Sequence, residues 1–283
     1  MIRSPSMLTL SYDAILDRAL AEDLSAGDVT TEACILHTAQ AVAHAVARGP
    51  MVVCGGEVFA RLFAKVDAAV RFEAHCDDGA RVDRGTRVWT VRGPARSILM
   101  GERTALNLAQ RMCGIATTTR TYVDAVAPGK ATRVIDTRKT MPGLRVLDRY
   151  AVRVGGGKNH RDNLGSAVLI KDNHVIAAGG VRAAILRARA HAPHTSKIEC
   201  EIDSLDQLEE AIDAGADIVL LDNMKTEVVK EAVLRAAGRA FLEASGGITL
   251  ERVRELSLAG VDAISVGALT HSAPAADIGL DFA

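Results

Sequence analysis

The sequence predicts an α/β protein with two parts, a small N-terminal α/β domain containing an antiparallel sheet and a larger C-terminal α/β barrel of parallel strands. The barrel follows from short apolar runs that alternate with helical segments after residue 132, as repeated βα units require. Two similar sequence segments, at 214–221 and 259–266, are typical of a helix end followed by a strand. The predicted helical segments lie at 180–190, 205–214, 227–237 and 250–259.

The N-terminal part begins with an amphipathic helix over residues 12–24, because Ile15, Leu16, Leu20 and Leu24 recur on one side. Residues 27–31 read as a turn. Short alternating strands separated by glycine-rich turns then occupy residues 41–91.

A further helix follows Gly93-Pro94 and extends to about Met112. At 100° per residue, Glu102 falls inside its apolar stripe and Arg103 falls at the edge. Charges on a buried face need partners. An internal ion bridge is the preferred interpretation for Glu102, whereas Arg103 either joins such a bridge or projects into a site.

Composition limits the class of protein. The chain has 283 residues, of which 48% are hydrophobic and 3% aromatic, and a formal net charge of −1. This balance argues against a nucleic-acid partner. No signal peptide or membrane span is expected. The five cysteines are scattered and contain no Cys-x-x-Cys pair, which favours a reduced cytoplasmic location over a disulfide frame or a zinc site.

Charged or glycine-rich segments end the predicted barrel strands, where such barrels carry their reactive groups. These segments begin at Asp136, Lys171, Glu199, Asp222, Ser245 and Gly267. Because they would surround one mouth, the sequence predicts a pocket for a polyanion and a metal ion.

Basic residues dominate the first of these ends. Arg138-Lys139 follows one strand and Lys171 follows another, while His160-Arg161 follow the glycine run 155–157. Adjacent cations are costly without an anion, and glycines let a backbone approach a ligand. We therefore interpret these residues as an anion clamp. A solvated surface pair is the alternative for Arg138-Lys139, and a structural role is the interpretation kept for His174.

Carboxylates follow on the next strands. Glu199, Glu201 and Asp203 alternate and so share one face of a strand, and Asp222 ends the neighbouring strand. Glu201 and Asp222 therefore fit magnesium coordination or stabilisation of a developing positive charge. Simple pairing with the basic residues is compatible with both roles.

Ser245-Gly246-Gly247 and Gly267-Ala268 end the last two predicted strands. Phosphate groups bind at this position in such barrels because backbone N–H groups are exposed there. We predict a phosphate site.

Together these segments resemble the quinolinate phosphoribosyltransferase family over nearly the whole chain. The matching segments lie at 22–23, 27–31, 102–107, 113–116, 137–140, 155–161, 169–174, 221–223, 243–248 and 265–270. The resemblance implies an N-terminal α/β sandwich domain and an open C-terminal barrel. The expected limits are 1–112, with a tail 272–283 packing on that domain, and 113–271 for the barrel.

The resemblance also implies the reaction. Members convert quinolinate and phosphoribosyl pyrophosphate (PRPP) into nicotinate mononucleotide, pyrophosphate and carbon dioxide, with Mg²⁺ and no organic cofactor. It further implies a homodimer with shared active sites, or a larger assembly of such dimers, in which Arg103 reaches a neighbouring site.

Residue roles follow from the same resemblance. Expected quinolinate ligands are Arg103, Arg138, Lys139, His160, Arg161 and Lys171. Expected catalytic groups are Lys139, Lys171, Glu201 and Asp222, of which Glu201 and Asp222 also face Mg²⁺. Expected PRPP and phosphate ligands are Asn223, Ser245, Gly246, Gly247, Gly267 and Ala268.

Three alternatives compete with this interpretation. One is a phosphoribosyltransferase-like relative from molybdenum-transport operons. Another is a Schiff-base barrel lyase that uses Lys139 or Lys171 as its nucleophile. The third is a non-catalytic binding homologue, which would gain nothing from carboxylates beside an anion clamp.

Overall fold

The computed structural model describes residues 12–283, which contain two sheets of three or more strands and a short two-stranded ribbon. In chain order the elements are α1 (Asp13–Leu24), α2 (Val29–Cys34), β1 (Gln40–Ala47), β2 (Met51–Val52), α3 (Gly56–Val66), β3 (Arg71–Ala74), β4 (Arg81–Val82), β5 (Arg87–Pro94), α4 (Ala95–Asp124), β6 (Arg133–Ile135), α5 (Arg145–Val154), β7 (Val168–Ile170), α6 (Asp172–Ala178), α7 (Val181–His191), β8 (Ile198–Ile202), α8 (Leu205–Asp213), β9 (Ile218–Asp222), α9 (Thr226–Ala236), β10 (Phe241–Ser245), α10 (Leu250–Ala259), β11 (Ala263–Ser265), α11 (Ala268–His271) and β12 (Ile278–Phe282).

Contacts divide the chain into two compact units. The first contains the described residues up to Arg120 together with Thr140–Gly156 and Leu269–Ala283, and the second contains Thr121–Lys139 and Gly157–Ala268. The predicted domain limits at 112 and 271 therefore remain a proposal.

An antiparallel sheet forms the centre of the first unit, with strand order β12-β1-β5-β3. Ala45 of β1 pairs with Leu280 of β12 on one side and with Trp89 of β5 on the other. Trp89 is fully buried and stacks on Phe59 of α3, with ring centroids 4.8 Å apart. The predicted antiparallel sheet is confirmed, and α3 covers it.

Three helical features differ from the sequence predictions. The region 41–91 contains α3 as well as strands, because Val58, Phe59, Leu62 and Phe63 recur at helical spacing and are buried. The predicted turn at 27–31 begins α2, since Asp28 Oδ1 accepts the N–H of Thr31 at 2.9 Å.

Helix α4 is the third feature that differs from the prediction, because it extends twelve residues beyond Met112 to Asp124. The first residues of this continuation, 113–116, are buried, and Gly114 permits close packing because an added Cβ would overlap the carbonyl of Pro274. Gly114 therefore marks a close contact with Pro274 rather than the end of the helix.

Six parallel strands form the second unit, in the order β6-β11-β10-β9-β8-β7. The outermost strands β6 and β7 do not pair with each other in the described chain, as an open barrel requires. In β8 the buried apolar residues Ile198, Cys200 and Ile202 alternate with Glu199 and Glu201, so apolar and acidic residues occupy opposite faces. Helices α7 and α8 pack beside this strand.

The four helices predicted between 180 and 259 are confirmed as α7, α8, α9 and α10. None of the helices in residues 12–283 combines the length and apolar character that a membrane crossing needs.

Candidate active site

Strand register places a lysine and a carboxylate together at one edge of the six-stranded sheet. Ile170 pairs with Cys200, so the next residues, Lys171 and Glu201, stand level with each other. Lys171 Nζ lies 3.2 Å from Glu201 Oε2. The Lys171 side chain is 50% exposed, whereas a Schiff-base lysine is typically desolvated in an apolar pocket.

Asp222 lies further along the same edge. Glu201 pairs with Leu220 on β9, and Asp222 follows two residues later on the same face. The Asp222 carboxylate accepts a hydrogen bond from Asn223 Nδ2 at 2.8 Å. The register therefore brings the two predicted catalytic carboxylates to neighbouring strands.

Asn223 and Ser245 form a tight corner between β9 and β10. Ser245 pairs with Asp222, and the Asn223 N–H donates to the Ser245 carbonyl at 3.0 Å. Asn223 adopts a left-handed conformation with φ 53°, which asparagine tolerates better than most residues. Its carboxamide is thereby held against the glycine loop that follows Ser245.

Gly246 is required by this corner. Its φ is 92°, and an added Cβ would overlap the Asn223 carboxamide and lie 2.9 Å from the Asn223 backbone nitrogen. Gly247 has φ 56° and no atom within 4 Å of an added Cβ. A side chain would therefore collide with Asn223 at Gly246 but would meet open space at Gly247.

Gly246→Ala is expected to lower the free energy of unfolding by about 2–5 kcal/mol, because a side chain there is strained and displaces Asn223. Gly247→Ala serves as the matched control and is expected to cost about 1 kcal/mol. Urea unfolding of both variants measures the difference. Equal losses would contradict the role assigned to the Asn223 contact.

Gly267 and Ala268 lie after β11, where Ala268 begins the four-residue helix α11. Both are partly exposed. They join the edge formed by Ser245 because Ala244 pairs with Ile264, which sets Ser245 level with Ser265. The predicted phosphate residues thus occupy adjacent strand ends.

Arg138 and Lys139 lie in the loop after β6, and both are exposed. The Lys139 N–H donates to Thr137 Oγ1 at 3.1 Å. Arg138 lies close enough to Arg161 to affect its pKa, which is lowered by burial and then by the charge of Arg138. Two neighbouring guanidinium groups repel each other, so this part of the edge favours an anion.

Arg161 is half-buried and leads into the segment before β7, where its Nη1 donates to the Ala167 carbonyl at 3.1 Å. The structure therefore places Arg138 and Arg161 in the same unit and joins Lys171 to Glu201 there.

Arg103 lies in the first unit, on α4, and is exposed. The pKa of neighbouring Glu102 is raised because burial disfavours its charged form, and the charge of Arg103 offsets part of this rise. Within the described chain the two residues form no salt bridge, so the expected internal bridge for Glu102 is not found. Exposure leaves Arg103 available to project outward.

The glycine run 155–157 has a packing role. An added Cβ at Gly155 would lie 2.6 Å from the Ala116 carbonyl oxygen, and one at Gly156 would lie 3.0 Å from Arg120. These two glycines allow the chain after α5 to approach α4 closely. Their contacts therefore explain the first two glycines without a ligand.

His160 turns inward to a group of acidic residues that the sequence analysis did not include in the site. Its Nε2 lies 3.0 Å from Glu199 Oε2 and 3.6 Å from Glu243 Oε1. Its backbone N–H donates to Asp136 Oδ1 at 2.7 Å, and Asn159 Nδ2 donates to the other oxygen of Asp136 at 2.6 Å. The assignment of His160 as a quinolinate ligand stays a prediction.

Alternation along the strands indicates which face two of these carboxylates occupy, but not that they meet His160. Glu199 precedes Glu201 by two residues on β8, and Glu243 precedes Ser245 by two residues on β10. Glu199 and Glu243 therefore face the same side of the sheet as Glu201 and Ser245, but they lie two residues further from the strand ends.

Burial changes the ionisation of this group. The pKa of Glu243 is raised to about 7, because burial and then the charge of Glu199 disfavour its ionised form. Burial acts to lower the pKa of His160, but its hydrogen bond to Glu199 and the surrounding negative charges outweigh this effect and raise it. The Arg161 N–H donates to His160 Nδ1 at 2.7 Å, so Nδ1 carries no proton in this arrangement.

Comparison with known proteins identifies the family. Residues 28–113 match the sequence model of the quinolinate phosphoribosyl transferase N-terminal domain, and residues 115–281 match that of its C-terminal domain. A nicotinate-nucleotide pyrophosphorylase [carboxylating] of Mycobacterium leprae is 45% identical over 279 residues, covering 95% of this chain and 98% of the relative.

Two further relatives extend the likeness. The probable nicotinate-nucleotide pyrophosphorylase [carboxylating] of Bacillus subtilis is 40% identical over 272 residues, covering 96% of this chain and 93% of its own. The crystal structure of NadC from Streptococcus pyogenes superposes with a TM-score of 0.94 at 41% identity, covering 99% of this chain and 100% of that one. The chain therefore belongs to the quinolinate phosphoribosyltransferase family.

Proposed function

We propose that this protein transfers the phosphoribosyl group of PRPP to quinolinate with decarboxylation, a step of de novo NAD biosynthesis. The observation that carries the proposal is the edge of the six-stranded sheet, where Lys171 pairs with Glu201 and Arg161 lies within the influence of the Arg138 charge. Cations suited to a dicarboxylate thus lie in one unit with the carboxylates suited to a cationic ribose.

Quinolinate binding needs several cations because the substrate carries two carboxylates. Arginine holds a carboxylate through two parallel N–H donors, and Lys139 and Lys171 add point charges. Arg138, Lys139, Arg161 and Lys171 are the proposed direct ligands within one subunit. His160 is proposed to join the site through Arg161, because its two ring nitrogens face Glu199 and the Arg161 N–H. Holding the ring in this way directs its nitrogen towards the ribose of PRPP.

Glycosyl transfer forms the bond from the ring nitrogen to ribose C1 and breaks the bond from C1 to pyrophosphate. Positive charge develops on the ribose as pyrophosphate leaves, as in glycoside cleavage. Glu201 and Asp222 lie on neighbouring strands and are the groups proposed to stabilise that charge. Asn223, Ser245, Gly246, Gly247, Gly267 and Ala268 are proposed to hold the phosphate groups of PRPP.

Decarboxylation follows from the product of the first step. Once the ring nitrogen carries ribose it is cationic, so the ring accepts the electron pair released when the carbon–carboxylate bond breaks. A proton from solvent then occupies the vacated ring carbon. The substrate supplies its own electron sink, and we propose no organic cofactor.

Magnesium is proposed to accompany PRPP. The donor set fits, because Glu201 and Asp222 supply carboxylate oxygens, which Mg²⁺ prefers together with substrate phosphates. Bound there, the ion would neutralise charge on the departing pyrophosphate. Lys171 already occupies one oxygen of Glu201, so PRPP and the ion would compete with that lysine for the carboxylate.

We further propose a homodimer with shared active sites, or a larger assembly of such dimers. The exposure of Arg103 on α4 supports this arrangement, because an arginine that projects outward can reach a neighbouring subunit. A cytoplasmic location is proposed from the scattered cysteines, all of which are free in the described chain.

Purified protein should form nicotinate mononucleotide from quinolinate, PRPP and magnesium, and should form none when nicotinate replaces quinolinate. The clamp explains this selectivity because one of its two carboxylate partners is then missing. Chromatographic detection of the nucleotide, with an EDTA-treated reaction beside it, measures the result. Turnover of nicotinate at a similar rate, or turnover without magnesium, would contradict the proposal.

A further inference from the structure

A buried acidic group supports His160 one step deeper than the proposed substrate ligands. Glu199 is 3% exposed and Glu243 is 2% exposed. Their carboxylates meet the same ring nitrogen, His160 Nε2, from strands β8 and β10. The proposed transfer reaction gives neither carboxylate a role.

Two buried carboxylates so close together need a reason, because desolvation and mutual repulsion both oppose them. Glu199 Oε1 and Glu243 Oε1 form no hydrogen bond within the described residues. The geometry instead points to the imidazole, since the contact of Glu199 Oε2 with His160 Nε2 is the shortest in the group. Holding the ring is the function that these contacts support.

The ring in turn fixes Arg161. His160 Nδ1 accepts the Arg161 backbone N–H at 2.7 Å, which is possible only when Nδ1 carries no proton. A carboxylate at Nε2 favours that tautomer because it accepts a hydrogen bond from the protonated Nε2. Asp136 holds the same segment from the Asn159 side.

We propose that Glu199 and Glu243 are positioning residues, which orient the His160 ring and thereby aim the Arg161 guanidinium at one carboxylate of the pyridine substrate. The inference rests on the proposed function, because it assigns Arg161 to that substrate. Neither carboxylate touches the substrate in this arrangement.

Kinetics of Glu199 variants test the proposal. Glu199→Ala removes the acceptor at His160 Nε2 and is expected to raise KM for quinolinate about tenfold, since a small misplacement of a binding group has a large effect. KM for PRPP is expected to stay within about twofold. Glu199→Gln keeps an acceptor oxygen and is expected to restore KM for quinolinate to within about threefold of the native value.

The control is Glu231→Ala, which removes an exposed carboxylate that pairs with Arg235 on α9. Both KM values should remain native. Equal increases for quinolinate and PRPP in Glu199→Ala, or a Gln variant as impaired as the Ala variant, would overturn the proposal.

A measurement on the native protein tests the orientation of the His160 ring even where a variant fails to fold or turnover is absent. Nitrogen NMR of the His160 ring at mildly alkaline pH should show a proton on Nε2 and none on Nδ1. A proton on Nδ1 would refute the inference. So would a stoichiometric divalent metal in the purified protein that Glu243→Ala releases, because His160, Glu199 and Glu243 would then be metal ligands. If the protein shows no turnover but Nε2 carries the proton, the proposed function is refuted and the positioning of His160 is not.

Discussion

Glu201→Gln is expected to lower kcat about 10²-fold or more while KM for quinolinate stays within about threefold. The substitution preserves the shape of the side chain and removes its charge. That charge acts on the ribose while the ribose becomes cationic, so this loss belongs to the transition state. A loss of Mg²⁺ binding would instead raise KM for PRPP. Lys171, which now pairs with Glu201 at 3.2 Å, remains available to quinolinate in the variant.

Steady-state kinetics with each substrate varied in turn measures this split. Asp203→Asn is the matched control, because Asp203 is exposed and follows β8 without belonging to it. Its kcat and KM should remain native. A Glu201→Gln enzyme with native kcat and a raised KM would show instead that Glu201 acts in binding.

Mixing two inactive variants is expected to restore activity if the active sites are shared. Arg103→Ala and Lys139→Ala should each lose nearly all turnover, because each removes a proposed quinolinate ligand. In a mixed dimer, one site combines native Lys139 with native Arg103 of the partner subunit. Random exchange of subunits should therefore recover about a quarter of the native activity.

The control mixture combines Lys139→Ala with Glu201→Ala. Both residues belong to the same unit of one chain, so neither site of a mixed dimer is native and no activity should return. Differently tagged subunits allow mixed dimers to be counted by mass spectrometry. Mixed dimers of Arg103→Ala and Lys139→Ala without recovered turnover would contradict the placement of Arg103 at a neighbouring site.

Local features of the site were predictable from the sequence. Alternation on β8 placed Glu199 and Glu201 on one face, and the apolar runs located the strands whose ends carry Lys171 and Asp222. These inferences depend only on the two-residue period of a strand and on the common direction of parallel strands. The helical spacing of Phe59 and Phe63 is equally local, but short strands and glycine turns surround it and hide it in the sequence pattern.

The partners of His160 could not be assigned in the same way. Glu199 and Glu243 come from β8 and β10, which are separated in the sheet by β9, and both reach a loop that follows α5. Their meeting depends on the curvature of the sheet and on the path of that loop, neither of which has a local sequence signal. The close packing that explains Gly155 also involves a distant segment, at Ala116.

The most direct test of the account follows the carboxylate that leaves the ring. Native protein is supplied with PRPP, magnesium and quinolinate labelled at the carboxylate adjacent to the ring nitrogen. The proposed reaction yields equal amounts of labelled carbon dioxide, nicotinate mononucleotide and pyrophosphate. Folded protein that forms no nucleotide, or a nucleotide that keeps the label, would contradict it.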